Sequence, residues 1–290
     1  MRSKLLLIIN PIAGHGLAPQ IENYIKASGI EEKHEVLISY SEKRGHAALL
    51  AKNAVENNFQ VVVAAGGDGT INEVASSLVD TSTALGIIPC GSGNGLAKHL
   101  QYPKKPLQAL IKIKNGKVKK IDTLIVNNRF AVNVSGVGFD GYVATLFDKQ
   151  IKRGLKSYTS ITLKEYFNYP ENKFQISIDE QQFDQAAHMI VIANASQFGN
   201  AAIIAPNADL QDGLADIIII KRPPLFLMPI TFYRLIKGTL KSNRFIKMVT
   251  CKKLLLKTST PIHLHIDGEP MDTVTMVEAS VNPSSLNIIY

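Results

Sequence analysis

Nearly unbroken apolar runs punctuate the first part of the chain: Leu5–Ile9, Val61–Ala65 and Leu85–Ile88. Each has strand length, and unbroken rather than alternating apolarity predicts burial on both faces. Between them Ala18–Ser28, Gly45–Asn57, Ile71–Val79, Gly95–Leu100 and Leu107–Ile113 have helical spacing, and His34–Ser39 reads as a further strand. Alternating strands and helices predict a parallel α/β sheet. Ala47, Ala48, Ala51 and Ala54 mark a helix face small enough for close packing. After Asp122 the pattern changes to short runs, Arg129–Val134, Lys173–Ile178, His188–Asn194, Leu214–Ile220, Lys253–Lys257, Ile262–Ile266 and Val274–Val277. They are separated by turn-rich stretches such as Asp179-Glu180 and Thr258-Ser259-Thr260-Pro261, so an antiparallel β domain is expected there. Helical inserts are expected at Gly141–Asn168 and Leu225–Lys241.

Both of the last two α/β strands break at glycine-dense turns: Gly66-Gly67-Asp68-Gly69-Thr70, with Asn72 and Glu73 following, and Gly91-Ser92-Gly93-Asn94-Gly95. Without Cβ atoms, such turns let backbone N–H groups close around an anion at a helix N-terminus, where the macrodipole favours negative charge. Two of them on successive strands fall at one edge of the sheet and point to a polyphosphate ligand. Asp68 is an odd charge for such a loop: it meets a metal ion or a hydroxyl, or it caps the following helix.

Composition narrows the partners. At 290 residues and 46% hydrophobic content the chain can bury a core in each of two domains. Its net charge of +8 and pI near 9.3 suit nucleotides, nucleic acid or an anionic membrane surface. There is no Trp and no interleaved basic and aromatic pattern, so nucleic-acid binding is not expected. Cys90 and Cys251 make no disulfide framework, which fits a reducing cytoplasm. Leu5–Ile9 runs into Asn10-Pro11 as a first strand rather than a signal peptide, and no apolar run reaches membrane-spanning length. Membrane contact would then be peripheral, and Leu225–Lys247, apolar with Arg234, Lys237, Lys241, Arg244 and Lys247, is its candidate, or else a core helix with a solvated basic face.

Asn10-Pro11-x-x-Gly14, Gly66 to Glu73 and Gly91-Ser92-Gly93-Asn94-Gly95-Leu96-Ala97, in this order and spacing, resemble the diacylglycerol kinase and sphingosine kinase superfamily. Gly136-Val137-Gly138-Phe139-Asp140, the stretch from Ala205 to Asp216 and Ile266-Asp267-Gly268-Glu269 are similar to second-domain motifs of its soluble bacterial lipid kinases. The resemblance implies an α/β nucleotide domain like that of phosphofructokinase and NAD kinase over 1–122, followed by an antiparallel β-sandwich over 123–290 whose last strand can return to the first domain. It also implies ATP and lipid meeting between them. By the same resemblance, Asn10, Pro11, Gly14, Ser41, Gly66, Gly67, Asp68, Gly69, Thr70, Asn72, Glu73, Gly91, Ser92 and Asn94 hold ATP. Ser41 stands where the family usually has threonine.

The implied reaction is ATP- and Mg²⁺-dependent phosphoryl transfer to a lipid hydroxyl, a cytoplasmic step of phospholipid metabolism. Glu269 is the expected base, with Asp267 and Asp68 organising Mg²⁺ and phosphates; the sphingosine kinases would instead use Asp68. Asp122 matches an active-site carboxylate of the bacterial enzymes, and Asp140 a lipid-headgroup position of sphingosine kinases. Asp209, Asp212 and the Leu214 carbonyl match a structural Mg²⁺ site. Read without the resemblance, Asp267-Gly268 is a hairpin turn, Asp212-Gly213 a turn, and Asp122 and Asp140 are caps. Asn94-Gly95 replaces the Asn-Asp usual in diacylglycerol kinases, which leaves the acceptor open between diacylglycerol and a sphingoid or ceramide-type lipid. An NAD kinase shares the GGDG loop but not the second loop combined with Ala205-Pro206-Asn207, and a non-catalytic lipid or nucleotide sensor has no need of so many carboxylates. A homodimer is left open.

Overall fold

The computed structural model describes residues 2–16, 18–150, 155–198 and 202–290. The chain forms two compact units, Met1–Asp122 with Pro283–Tyr290, and Thr123–Asn282.

In the first unit the strands are β1 (Ser3–Ile9), β2 (His34–Tyr40), β3 (Val61–Gly66) and β4 (Ala84–Pro89), and the helices are α1 (Ala18–Ser28), α2 (His46–Glu56), α3 (Asp68–Leu78), α4 (Gly95–His99) and α5 (Pro106–Asn115). The strands lie in the order β2-β1-β3-β4, all parallel, with Leu7 opposite Val63 and Val63 opposite Gly86. Leu7, Ile8, Val62, Val63, Leu85 and Ile87 are fully buried, as strands covered on both faces require. Gly86 makes room for the covering layer, since a Cβ there would press on Val63 and Ile113 at 3.1 and 3.3 Å. The alanine face of α2 packs on α3, where Ser77 Oγ donates to the Ala48 carbonyl at 2.9 Å. Helix α3 starts at Asp68, three residues before the expected Ile71, because Gly67 is extended at φ −90° and serves as the N-cap. Asp68 thus enters the first helical turn, where the dipole favours a carboxylate.

The second unit begins within β5 (Val118–Val126), which runs through Asp122 unbroken, and continues with β6 (Arg129–Ala131), β7 (Val134–Gly138), α6 (Phe139–Asp148), α7 (Leu155–Glu165), β8 (Asn172–Ile178), β9 (Gln181–Ala187), β10 (Met189–Ala193) and β11 (Ala215–Ile220). A single 3-10 turn (Leu225–Leu227) leads into α8 (Met228–Lys237), followed by β12 (Ile246–Cys251), β13 (Lys253–Ile262), β14 (Leu264–Ile266), β15 (Glu269–Pro270) and β16 (Val274–Ile289). One antiparallel sheet runs β12-β11-β10-β7-β14-β15; against it lie β16-β13-β8-β9, with β5 beside β16. Strand β16 pairs with β13 from Val274 to Ser280, while Ile288, in the first unit, pairs with Leu85 of β4. Between the layers Phe174, Ile190, Ile192, Ile217, Leu256 and Val277 form the sandwich core. The four consecutive isoleucines of β11 are explained by this layering: Ile217 and Ile219 face the sandwich core, while Ile218 and Ile220 join a second cluster with Val191, Leu240 and Leu235 of α8.

Several expectations need correction. Arg129–Val134 is two strands, parted at Val132-Asn133. The stretch Thr258-Ser259-Thr260-Pro261 is not a separator but part of β13, carried by a register shift between Lys257 and Ile262. Strands β5, β9 and β12 were not anticipated. Gly141–Asn168 resolves into α6 and α7, with positions 151–154 outside the described residues. Helix α8 stops at Lys237 rather than Lys241, because Gly238 turns left-handed at φ 62°.

Candidate functional site

The candidate residues of the first unit gather at the C-terminal ends of β1, β3 and β4. Asn10 follows β1, donating through Nδ2 to Thr70 Oγ1 at 3.0 Å while its Oδ1 accepts the Ile12 N–H at 3.2 Å. Gly14 is left-handed at φ 70° and Pro11 is exposed. Ser41 is buried after β2, its N–H bonded to the Ile9 carbonyl at 2.9 Å. The two glycine loops touch: a Cβ on Gly91 would lie 2.6 Å from Gly67 Cα, and one on Gly66 would lie 2.5 Å from Thr70 Cβ. A Cβ on Gly69, by contrast, would meet nothing within 4 Å. Asn94, left-handed at φ 56°, folds its amide back on Gly91, whose N–H reaches Asn94 Oδ1 at 3.0 Å, while Ser92 is exposed.

Asp68 joins the two loops. Its Oδ2 accepts the Asn94 N–H at 2.7 Å and its Oδ1 the Gly95 N–H at 2.8 Å. Burial pushes its carboxyl pKa up, opposed by these amide donors and by the charge of Lys98. Glu73 has a different placement from its loop neighbours: its carboxylate accepts the Gly45 and Ala47 N–H groups at 2.8 and 3.1 Å and so caps α2. Asn72 is half-buried on α3. Asp122 is 1% exposed, and its Oδ1 accepts the Ser284 N–H at 2.6 Å, tying β5 to β16.

In the second unit Asp267 and Gly268, at φ 49° and 83°, form the two-residue turn between β14 and β15, with Ile266 paired to Glu269. Left-handed backbone at both central positions is the type I′ hairpin geometry, hence Asp-Gly. Asp267 Oδ2 and Oδ1 accept the Val132 and Asn133 N–H groups at 2.9 and 3.0 Å, the place where β6 and β7 part. Glu269 is half-buried beside it. Behind the turn, buried His265 contacts Asp140 Oδ2 through Nε2 at 2.7 Å, and its Nδ1 accepts the Gly268 N–H at 3.1 Å. That acceptor role puts the ring proton on Nε2, directed at Asp140. Tyr158 adds a 3.4 Å contact to Asp140 Oδ1. Gly136 allows the pair to form, since a Cβ there would sit 2.5 Å from Asp140 Oδ2.

The stretch 209–214 is a double turn in which Asp209, Gln211 and Asp212 are exposed and Leu210 is buried. Asp209 Oδ1 accepts the Gln211 N–H at 3.0 Å and Asp212 Oδ1 the Leu214 N–H at 2.9 Å. Among the described residues no group of three or more His, Cys, Asp or Glu side chains is gathered for an ion. Asp216 was not singled out from the sequence, yet burial and the charge of Asp212 push its pKa up to about 6. His265 and His188 were also missed. His188 stacks on Phe139 with centroids 4.5 Å apart and stands edge-on to Tyr166 and Tyr169. Neither of its ring nitrogens has a hydrogen-bond partner, and burial, with the charge of Arg222, depresses its pKa to about 4.

Comparison with known proteins settles the family. The family model of the diacylglycerol kinase catalytic domain matches residues 4–126, and that of the YegS C-terminal NAD kinase beta sandwich-like domain matches residues 133–290. The chain belongs to the diacylglycerol kinase-like lipid kinases. Among the relatives of this lipid kinase, a Bacillus subtilis protein named diacylglycerol kinase is 26% identical over 91% of this chain and 88% of its own. A Staphylococcus saprophyticus protein of the same name is 25% identical over 93% and 90%. A solved structure described as a diacylglycerol kinase from Bacillus anthracis matches with a TM-score of 0.78 at 21% identity, covering 99% of this chain and 97% of that one, a likeness of fold. No helix of the described residues is long and apolar enough to cross a membrane.

Proposed function

We propose that this lipid kinase uses ATP and Mg²⁺ to phosphorylate the hydroxyl of diacylglycerol or a related lipid, with Glu269 as the base. The observation that supports nucleotide binding most directly is the space over Gly69. At the start of an eleven-residue helix, whose first N–H groups lack intrahelical acceptors, a side chain would enter open space rather than protein. Residues 66–70, with Asn10, Ser92 and Asn94 alongside, would hold the phosphates there.

Both oxygens of Asp68 and both of Asp267 accept backbone amides, so their work includes holding loops. Glu269, half-buried on the short strand β15 next to the Asp267 turn and within the Ile266-Asp267-Gly268-Glu269 motif, is our assignment for the group that accepts the proton of the acceptor hydroxyl. Magnesium, when bound, supplies charge neutralisation on the phosphate oxygens. Asp212 and the Leu214 carbonyl would suit a structural ion, because hard oxygen donors from a tight turn match it.

The test is radiolabelled ATP with a panel of diacylglycerol, sphingoid base, ceramide and NAD in mixed micelles, for the wild type, Glu269→Gln and Asp68→Asn. Labelling of one lipid, lost in Glu269→Gln, is the expected result. Labelling of NAD alone would overturn the acceptor class, and wild-type turnover by Glu269→Gln would overturn the base.

A further inference from the structure

Helix α8 has no ordinary outer face. Met228, Thr231 and Leu235 fall on its inner stripe: Met228 packs against the Phe139, Tyr166 and Tyr169 cluster, and Leu235 against the cluster containing Ile218 and Ile220. The opposite side of a surface helix is normally polar. On α8 Phe232 is 57% exposed, Tyr233 56% and Ile236 47%, the 3-10 turn before it exposes Phe226 at 78% and Leu225 at 59%, and no residue of α8 is fully buried. Contiguous large apolar groups at such exposure mark an interaction surface rather than scatter.

Charge identifies the occupant. The segment 217–266 holds ten Lys and Arg and no Asp or Glu, so the remaining residues carry 22 Lys and Arg against 24 Asp and Glu. The whole excess of positive charge therefore lies in the segment that contains α8. Arg234 and Lys237 sit in its last turn, and Lys241 and Arg244 follow on the return to β12. Lys221, Arg244 and Lys247 line one surface depression with Asn243 and Phe245, where the chain leaves β11 toward α8 and comes back into β12. Exposed aromatic and aliphatic side chains flanked by uncompensated cations match an anionic bilayer, whose acyl boundary takes the former and whose phosphates take the latter. A second copy of this chain would bring the same positive charge to the face.

We propose that α8 and the 3-10 turn before it dock this protein on anionic phospholipid. Leu225, Phe226, Phe232 and Tyr233 enter the interfacial layer, and Arg234, Lys237, Lys241 and Arg244 face the phosphates. This goes beyond the proposed reaction and needs neither ATP nor acceptor to be examined. Co-sedimentation with phosphatidylcholine vesicles, with and without one-third phosphatidylglycerol, is the test. Binding only to the anionic vesicles is expected, falling with added salt. Changing Lys237, Lys241 and Arg244 together to Glu, or Phe226 and Phe232 to Ser, should each lower the partition coefficient at least tenfold. Because the chain lacks Trp, Phe232→Trp provides a clean reporter whose emission should shift to the blue on anionic vesicles. Absence of wild-type binding at low salt, unchanged binding of both variants, or a concentration-dependent dimer that the Phe226 and Phe232 changes abolish would each overturn the proposal.

Discussion

Asp68 in the first unit and Asp267 in the second do the same job from different backbone settings. Each carboxylate accepts two consecutive backbone N–H groups, Asn94 and Gly95 in one case, Val132 and Asn133 in the other. Asp68 does so from a half-buried helix start between two glycine loops, and Asp267 from a half-buried hairpin at positive φ. The difference lies in what each clamp ties down: Asp68 the second glycine loop where α4 begins, Asp267 the chain where β6 and β7 part. Charge in a glycine loop is therefore not by itself a sign of metal, because two backbone amides can also hold a carboxylate.

The sharpest way to break this comparison is to separate Glu269 from Asp267. Glu269→Gln should cost on the order of 10²–10⁴ in turnover, the usual reach of a general base, with stability unchanged within about 0.5 kcal/mol. Phosphorylation rates and urea denaturation on the same preparation check it. A stability loss equal to that of Asp267→Asn would make Glu269 another structural group.

The two clamps should next cost alike. In Asp68→Asn and in Asp267→Asn one end of the side chain becomes a donor facing an N–H, so a half-buried amide loses its acceptor at about 1–3 kcal/mol in each. Urea midpoints lowered together are the expected result; a loss in one variant alone would show that the other carboxylate does not hold its loop.

The clamps themselves were beyond sequence reasoning, although their positions were not. Unbroken runs such as Val61–Ala65 announced the parallel sheet because both faces are buried, and the glycine loops followed from them. Strands β9 and β12 escaped because QQFDQAA and IKMVTC, at the sheet edges, have neither clean alternation nor an apolar run. Strand β5 escaped because its first half is Val118-Lys119-Lys120, exposed, and only the second half is buried. Within the site, motif spacing located Asp68, Asp140 and Asp267. Their partners lie 26 to 135 residues away, as Asn94, His265 and Val132 do, and no local pattern encodes such pairings.

Acid should sharpen the contrast further by finding a weakness specific to the second unit. Unfolded His188 takes up a proton near its ordinary 6.5, whereas the folded ring resists until about 4. The folded state binds fewer protons in that window, so this contribution is complete above 6.5 and is lost as pH falls from 6.5 to 4. Asp216, raised to about 6, acts in the opposite sense, its penalty fading as pH falls toward its ordinary range. The wild-type profile is the sum, and His188→Phe isolates one part. Its stability relative to wild type should rise by about 2 kcal/mol between pH 7 and pH 4, after allowance for solvent screening. A parallel pair of pH profiles would mean the ring finds a partner on protonation.

The smallest expected effect tests the loops most directly. Gly69 lies in the first turn of α3, and a Cβ there meets nothing within 4 Å. Ala is favoured over Gly in a helix by up to about 1 kcal/mol, and less in a first turn, so Gly69→Ala should hold or slightly raise the melting temperature. Gly91→Ala must instead push the loops apart, since its Cβ would lie 2.6 Å from Gly67 Cα. If phosphates occupy the space over Gly69, the alanine methyl competes with them. The KM for ATP should then rise about tenfold, which is about 1.4 kcal/mol of binding, with kcat little changed. A more stable Gly69→Ala protein with an unaltered KM would show that the open space over α3 is not where the nucleotide lies, and the clamp formed by Asp68 would then need a purpose other than presenting amides.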